Sequence, residues 1–419
     1  MTSESGGGLL RGRGFRDFRL LLSGAAAGQL GAQVTLVALP LVAVVELDAS
    51  PLQTGFLTAA ETAAFLLVGL PAGAWVDRMR RLPVLIRADV LRALAMAALP
   101  LAAWAGVLTM TQLYVVALVT GVATVFFDIA HQSYLPSLLP REKLVAGNGA
   151  LETVRSSAQM AGPGVGGVLV QVAGAPLALL ANALGYLVSA LCLRGIRTPE
   201  PPPAPSGGEP LRAQIAEGLA FVFRNPALRM IACSTAVANF FAAMLTAVQT
   251  VFLVRVLDLP ASAVGLMLSA AAVGGLGGAL CADVLGRAVG RARVIWLAPL
   301  VTGPFALLWP LAGRGAAAAW FAVGEAVVFF GAVVYNVAQV SFRQLLCPDA
   351  LLGRMNATLR FVVWGMMPFG ALVGGAVAGA YGARAAVWLC AAGFLLVPLP
   401  LLLSPLRRQR DLPAVPVAG

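Results

Sequence analysis

Glu61, Asp128 and Glu325 are carboxylates set inside long apolar stretches of this 419-residue chain, as are Arg92 and the sole histidine, His131. An ionised group at the centre of a hydrocarbon layer costs roughly 2.5–3.5 kcal/mol on insertion scales, so those that persist tend to be paired or functional. Glu61 falls near the middle of its stretch, and no basic residue is expected at that depth in the adjoining ones. Two readings follow: a group that binds and releases a proton, or a neutral glutamic acid hydrogen-bonded to a neighbouring helix. Asp128 and Arg92 lie at similar depths in consecutive stretches joined by a short loop. An antiparallel hairpin would let them meet, so Arg92 and Asp128 are expected to form a structural ion pair, with proton coupling at Asp128 as the alternative. His131 stands one turn from Asp128, placed either to shuttle protons or to hydrogen-bond near the surface. Glu325 lies toward the opposite end of its stretch, where it would attract cations or protons or sit as a solvated rim carboxylate.

The elements that must hold these residues are membrane spans. The chain is 59% hydrophobic and 11% charged, and its mean hydropathy is +0.87; an ordinary soluble domain carries about 25% charged residues. Apolar runs of eighteen or more residues are span signals, and the sequence predicts helices at 20–45, 52–76, 83–106, 111–134, 150–172, 175–194, 227–254, 261–283, 293–312, 316–340, 357–380 and 384–404. The first run is too long for the apolar core of a cleaved signal peptide and more spans follow it, so it reads as retained.

The net charge of +11 is scattered in short basic clusters between the apolar runs, without interleaved aromatics. That pattern sets topology and argues against nucleic acid as a partner. With the N-terminus inside, the inner segments take Arg11, Arg13, Arg16, Arg19, Arg78, Arg80, Arg81, Arg87, Arg141, Lys143, Arg194, Arg197, Arg212, Arg224 and Arg229. They also take Arg287, Arg291, Arg293, Arg343, Arg354, Arg360, Arg407, Arg408 and Arg410, whereas the outer loops hold only Arg255, Arg314 and Arg384. An even number of helices with both termini cytoplasmic satisfies this distribution. The five cysteines are isolated from one another, with no metal-like spacing, and are expected to be reduced structural thiols.

Residues 195–226 break the apolar pattern with TPEPPPAPSGGEP, followed by the amphipathic LRAQIAEGLAFVF and Asn225-Pro226. A cytoplasmic linker with an amphipathic helix therefore separates two bundles, 1–194 and 227–419. The halves repeat. Pro140 precedes Asn148 as Pro348 precedes Asn356, and Gly166-Gly167 and Gly374-Gly375 follow those asparagines at equal distance. Asp77-Arg78 after the second helix has a counterpart in Asp283 and Arg287 after the eighth. Repeated halves place a substrate site at their interface near the membrane midplane.

On these residues the chain resembles the major facilitator superfamily, and within it the bacterial efflux branch of macrolide and enterobactin exporters. GLPAGAWVDRMRRLPVL resembles the superfamily's second-loop signature, carried by Gly73, Asp77, Arg78 and Arg81, with Arg80 where a second glycine is usual. GPGVGG resembles the helix-five motif associated with antiporters, carried by Gly162, Pro163, Gly166 and Gly167. FDIAHQSYLPSLLPREKLVAGN and VVYNVAQVSFRQLLCPDALLGRMNATLRF are similar to inner-face stretches of the efflux branch. The arginine that many members carry in helix four is absent between Tyr114 and Leu135.

The resemblance implies an all-α integral membrane fold of twelve helices in two pseudo-symmetric six-helix bundles. It implies that Asp77 acts as a latch between bundles; the helix-five glycines are expected to serve as a gate or seal, with plain close packing of helices as the other reading. It also brings helices one, seven and ten to a central cavity, making Gln29, Gln33, Asn239, Gln249, Glu325, Tyr335, Asn336 and Gln339 candidate substrate contacts; interhelical hydrogen bonding is the other reading of these side chains. Expected, then, is a monomeric multi-pass protein of the bacterial cytoplasmic membrane, not an enzyme, that exports a small, moderately apolar molecule without cofactor or metal and is driven by the proton gradient. Uptake or lipid flipping on the same fold is the alternative. No Walker loop, metal-spaced His/Cys set or nucleophile elbow supports a membrane enzyme, and no sizeable soluble region supports a sensor.

Overall fold

The computed structural model describes residues 13–140, 144–200, 211–347 and 352–411. Arg11, Arg141, Lys143, Pro348 and the linker stretch 201–210 lie outside the described residues, and so do the side chains of Asp77, Arg212, Arg354 and Asn356. The described chain is helical. The first half runs α1 (Arg13–Leu41), α2 (Pro51–Asp77), α3 (Arg81–Trp104), α4 (Met110–Leu138), α5 (Leu144–Ala173) and α6 (Ala175–Arg194). After α7 (Leu211–Arg224), the second half runs α8 (Pro226–Val251), α9 (Ala261–Val289), α10 (Arg291–Thr302), α11 (Leu308–Leu311), α12 (Ala319–Leu346), α13 (Leu352–Trp364), α14 (Met367–Tyr381), α15 (Ala383–Phe394) and α16 (Leu399–Leu402).

Ten helical segments among the described residues are long and apolar enough to cross a membrane. The other two expected spans are helices of 24 and 30 residues, α3 and α5, which carry Arg87, Asp89 and Arg92, and Glu152 and Arg155, respectively. Three expected spans are interrupted. The ninth turns into a 3-10 segment at Gly303–Leu307, the eleventh breaks between α13 and α14 just before Pro368, and the twelfth breaks between α15 and α16. Proline lacks the amide that would bond to the preceding turn, and it collects at these joints. α5 instead runs through Pro163 as a single helix.

Helix starts follow local chemistry. Ser50 with Gln53, and Thr109 with Gln112, form reciprocal capping boxes, and Asn225 accepts from Ala227 and Leu228 with Pro226 as first residue of α8. The two halves repeat these details. α1 and α8 each end in a π-helical turn, Val42–Glu46 and Phe252–Val256, followed by an aspartate in the left-handed region, Asp48 (φ 45°) and Asp258 (φ 61°). Gly174 (φ 86°) and Gly382 (φ 88°) occupy matching turns before α6 and α15.

Within the first half α1 packs on α5 and α6, α2 on α4, and α3 on α4 and α6; in the second, α9 and α10 pack on α12, and α14 and α15 on α8. Across the halves, α2 meets α14 and α5 meets α9. Both crossings lie toward the face opposite the chain termini, called here the far face, as against the terminal face. At one, a Cβ on Gly55 would come within 2.8 Å of the Ala371 carbonyl oxygen, and one on Gly375 within 2.8 Å of that of Pro51. At the other, a Cβ on Gly167 would come within 2.6 Å of the Ala261 carbonyl oxygen, and Gly265 faces Pro163 and Gly167 in the same manner. A glycine on each helix, preceded four residues earlier by Pro51, Pro163, Ala261 or Ala371, lets the backbones touch. Large apolar side chains such as Leu67, Leu94, Val172 and Leu280 point outward, as they must where the surrounding solvent is lipid.

Gly55→Val is expected to wedge α2 from α14, costing about 1–3 kcal/mol of stability. Thermal unfolding in detergent, compared with Gly69→Val, where a Cβ meets nothing within 4 Å, measures it.

Candidate functional site

Glu61 is half-buried in α2, and its backbone carbonyl lies against Gly121 of α4. No hydrogen bond or ion pair is found for its carboxyl among the described residues; only burial acts on it. Glu325 of α12 is likewise half-buried, with burial as the sole influence on its carboxyl.

The expected pairing of Arg92 with Asp128 gives way to another. The Arg92 guanidinium donates to Asp89, three residues earlier on α3, and to Thr124 Oγ1 at 3.3 Å. It is held between two rings, Phe127 at 4.2 Å and Tyr186 at 4.3 Å. Phe127 in turn stacks on His131, with centroids 5.6 Å apart. A partner one turn away on the same helix needs no approach of a second backbone, so Asp89 takes the role expected of Asp128. Asp89 is fully buried and Arg92 nearly so. Asp128 is half-buried on α4, within electrostatic reach of Arg92, of Arg155 on α5 and of Arg360 on α13.

The helix-five motif has two faces. Gly162 and Gly166 admit Gln33 and Val34 of α1, whereas Pro163 and Gly167 form the crossing with α9. Gln33 is thus packed against the α5 backbone. In the second-loop signature, Gly73 lies in α2, Asp77 ends it and Arg78 follows as its exposed C-cap. Arg81 lies 3.7 Å from Glu200, whose carboxylate also accepts from the backbone amides of Arg81 at 2.5 Å and Leu82 at 3.2 Å. In the second half, Asp411 accepts from the Arg291 amide at 3.3 Å and the Arg410 carbonyl from that of Ala292 at 3.1 Å. Each half therefore closes its last helix back onto the start of its third. Asp17 adds a second tie on the first half, accepting from the Arg197 and Thr198 amides and the Thr198 hydroxyl.

Among the polar candidates, several are committed to structure. Tyr335 shares a 2.6 Å hydrogen bond with Thr235 of α8, and Asn239 donates to the Thr235 carbonyl. Gln339 donates to Asn336 at 2.8 Å. Gln29 and Gln249 are half-buried. The sequence reading missed Asp89, although its spacing from Arg92 on one helix was the signal. It also missed the far-face ion pair, Arg255 to Asp48 at 2.6 Å, in which the same guanidinium donates to the Val44 carbonyl. Gly55 and Gly265, at equivalent places in the two halves, were the available sign of the crossings.

The Major Facilitator Superfamily family matches residues 21–368. The chain belongs to that superfamily. Superfamily relatives include the multidrug efflux pump Tap of Mycolicibacterium fortuitum, 28% identical over 412 residues, covering 95% of this chain and 98% of the relative. Tap of Mycobacterium tuberculosis strain H37Rv is 30% identical over 223 residues, 51% of this chain and 52% of the relative. Solved structures with the same fold include a bacterial homologue of the iron transporter ferroportin in an inward-facing state, with TM-score 0.70 and 18% identity, covering 91% of this chain and 98% of the other. The nucleoside transporter NupG aligns with TM-score 0.77 and 11% identity over 92% of this chain and 98% of its own. As a superfamily member the chain is a multi-pass membrane transporter.

Arg92→Gln should leave Asp89 buried without its cation and cost about 3–5 kcal/mol. A thermal-shift series that includes Asp89→Asn/Arg92→Gln, in which no charge is stranded, should recover part of that loss.

Proposed function

We propose that the chain exports a small, moderately apolar molecule, of the drug, antibiotic or siderophore kind, by proton antiport through alternating access. The observation that carries the reading is Glu61, a carboxyl half-way along a span with no cationic partner among the described residues. Such a group can carry a proton in one direction without a charge having to cross the hydrocarbon layer unpaired. The likeness to the multidrug efflux pump Tap over nearly the whole chain supports efflux; the fold itself is shared with a nucleoside transporter and does not select a direction.

The far face is closed by the two glycine crossings and by the Arg255–Asp48 pair. On the terminal side of the crossings, α5 exposes Glu152, Thr153, Ser156, Ser157, Gln159 and Met160. The terminal face is read as cytoplasmic because the basic residues gather there, so this state would load from the cytoplasm of a bacterial cell. The units are 1–194 and 227–419, with 195–226 as the linker; the protein acts as a monomer, with protons as co-substrate and no cofactor. Gln29, Gln249, Glu325 and the exposed Asn336, which gives only its oxygen to Gln339, remain as substrate contacts, together with the Glu61 region.

The test is proton-gradient-dependent efflux of a fluorescent drug from membrane vesicles, comparing the parent with Glu61→Gln. Gradient-driven efflux that falls at least tenfold in the variant at equal protein level is the expected outcome. Parent efflux that ignores the gradient would remove the antiporter; a gradient-dependent variant equal to the parent would make Glu61 structural and move Asp128 to the front.

A further inference from the structure

The two seams between the halves are related by the internal repeat but are not equally closed. At the first, α2 stays against the second half well past its glycine crossing. Ten residues beyond Gly55, about 15 Å at the helical rise, the Phe65 ring meets Trp364 of α13 edge-on with centroids 4.6 Å apart. Beside it, Leu66 packs on Gly365, where a Cβ would come within 3.1 Å of the leucine Cδ1. This seam is shut from the far face to about half the depth of a ~30 Å hydrocarbon layer.

At the second seam the contact stops sooner. Pro163 and Gly167 of α5 press on Gly265 of α9, and a Cβ on Gly164 would lie 3.4 Å from the Ser269 hydroxyl oxygen. Toward the terminal side the same row of α5 continues, by steps of three and four residues, as Met160, Ser156 and Thr153. The facing row of α9 continues from Ser269 as Ala272, Leu276 and Ala279. Met160, Ser156, Thr153, Leu276 and Ala279 are all exposed, and the Thr153 hydroxyl turns back to the Gly149 carbonyl of its own helix at 2.9 Å. Two facing rows that are both exposed bound a slot. The repeat shows what it lacks. Counted from the glycine crossings, Phe65 corresponds to Gly275 and Trp364 to Ser156, while Leu66 and Gly365 correspond to Leu276 and Ser157. The aromatic pair that plugs one seam is a glycine and a serine in the other, and Gly275 is covered from within its own half by Phe329, 3.1 Å from where a Cβ would stand.

We propose that the slot between α5 and α9 is a side entry to the central cavity from the terminal-side leaflet, taken by cargo that is an amphiphile already dissolved in that leaflet. The inference rests on the export reading above and adds to it a route and a partition property of the cargo. The lipid-side edges of the slot carry exposed Val168 on α5 and Val273 and Leu280 on α9. Its α5 wall then offers the Ser156 hydroxyl and the Gln159 amide, both exposed. An apolar body with one or two polar groups finds partners for both parts along that path, whereas a strongly hydrated molecule would have to shed water at the lipid edge. The Phe65–Trp364 contact denies the same path to the opposite seam, so entry is confined to one side of the molecule.

The experiment reads the slot first and the entry second. In a full-length chain with its native cysteines changed to serine, Met160→Cys carries a bimane label and the protein is reconstituted in liposomes. Brominated phospholipid and aqueous iodide should both quench the label, because lipid and water meet in the slot. The same label at Leu67→Cys, on the outward side of α2, should be quenched at least threefold less by iodide. A Met160→Cys label that only one quencher reaches would overturn the slot. Entry is then measured as gradient-driven transport of the membrane-partitioning dye Nile red into inside-out vesicles. Ser156→Trp/Leu276→Phe, which supplies the missing bulk, should raise the half-saturating dye concentration at least fivefold and leave the maximal rate within twofold of the parent. Ser156→Ala/Leu276→Ala, which widens the slot, should stay within twofold of the parent on both. A filled variant with an unchanged half-saturating concentration, or one changed only in maximal rate, overturns the entry and leaves a slot that holds bulk lipid. A parent that moves no dye removes the export reading, and the quenching result then decides the slot by itself.

Discussion

The arrangement depends on the bare contact of backbone with backbone where the halves cross. In lipid there is no hydrophobic drive to press one helix onto another, so association rests on close packing and on the few polar contacts available. The pairs Gly55 with Gly375, and Gly167 with Gly265, provide that packing twice over, by the same local pattern related through the internal repeat. Because the contacts are made at one end of each helix, they close the far face in this state while the other ends of the halves are left free of them. The ion pair Asp48–Arg255 and the Ser262 amide bonded to Gln171 sit at that same end.

The helix-five motif gains a physical sense from this geometry. Its glycines alternate between two tasks, fitting α5 against α1 inside one half and against α9 across the interface. A larger residue at Gly162 or Gly166 would disturb a bundle, whereas one at Gly167 would disturb the relation between bundles. The buried cluster around Arg92 performs the opposite service. Its ion pair, ring sandwich and hydrogen bond tie α3, α4 and α6 into one body, and a rigid half is what allows a small motion at an interface to be transmitted along whole helices.

Much of the fold was legible because lipid imposes long apolar runs and basic clusters between them. The helices, the repeat and the linker helix 211–224 follow from those two constraints and from capping residues such as Ser50, Thr109 and Asn225. What remained hidden depends on which side of a helix faces which neighbour. Arg92 was assigned to Asp128 on depth alone, yet its carboxylate lies on its own helix at Asp89. Tyr335 and Asn239 were open between cavity contact and hydrogen bonding inside the bundle, and both are bonded at Thr235 of α8. Breaks before Pro368 and at Gly303 were invisible to a hydropathy pattern that stays apolar through them.

The three arginines on the far side of the membrane are each fastened to a main-chain carbonyl: Arg255 to Val44, Arg314 to Val256 and Arg384 to Pro310. All three belong to the second half, and Arg255 finds its acceptors in the first. Synthesis from the N-terminus therefore presents the receiving carbonyl and Asp48 before the charge that needs them arrives. For Arg255 the first half is the surface that receives the charge, whereas Arg314 and Arg384 are received within their own half.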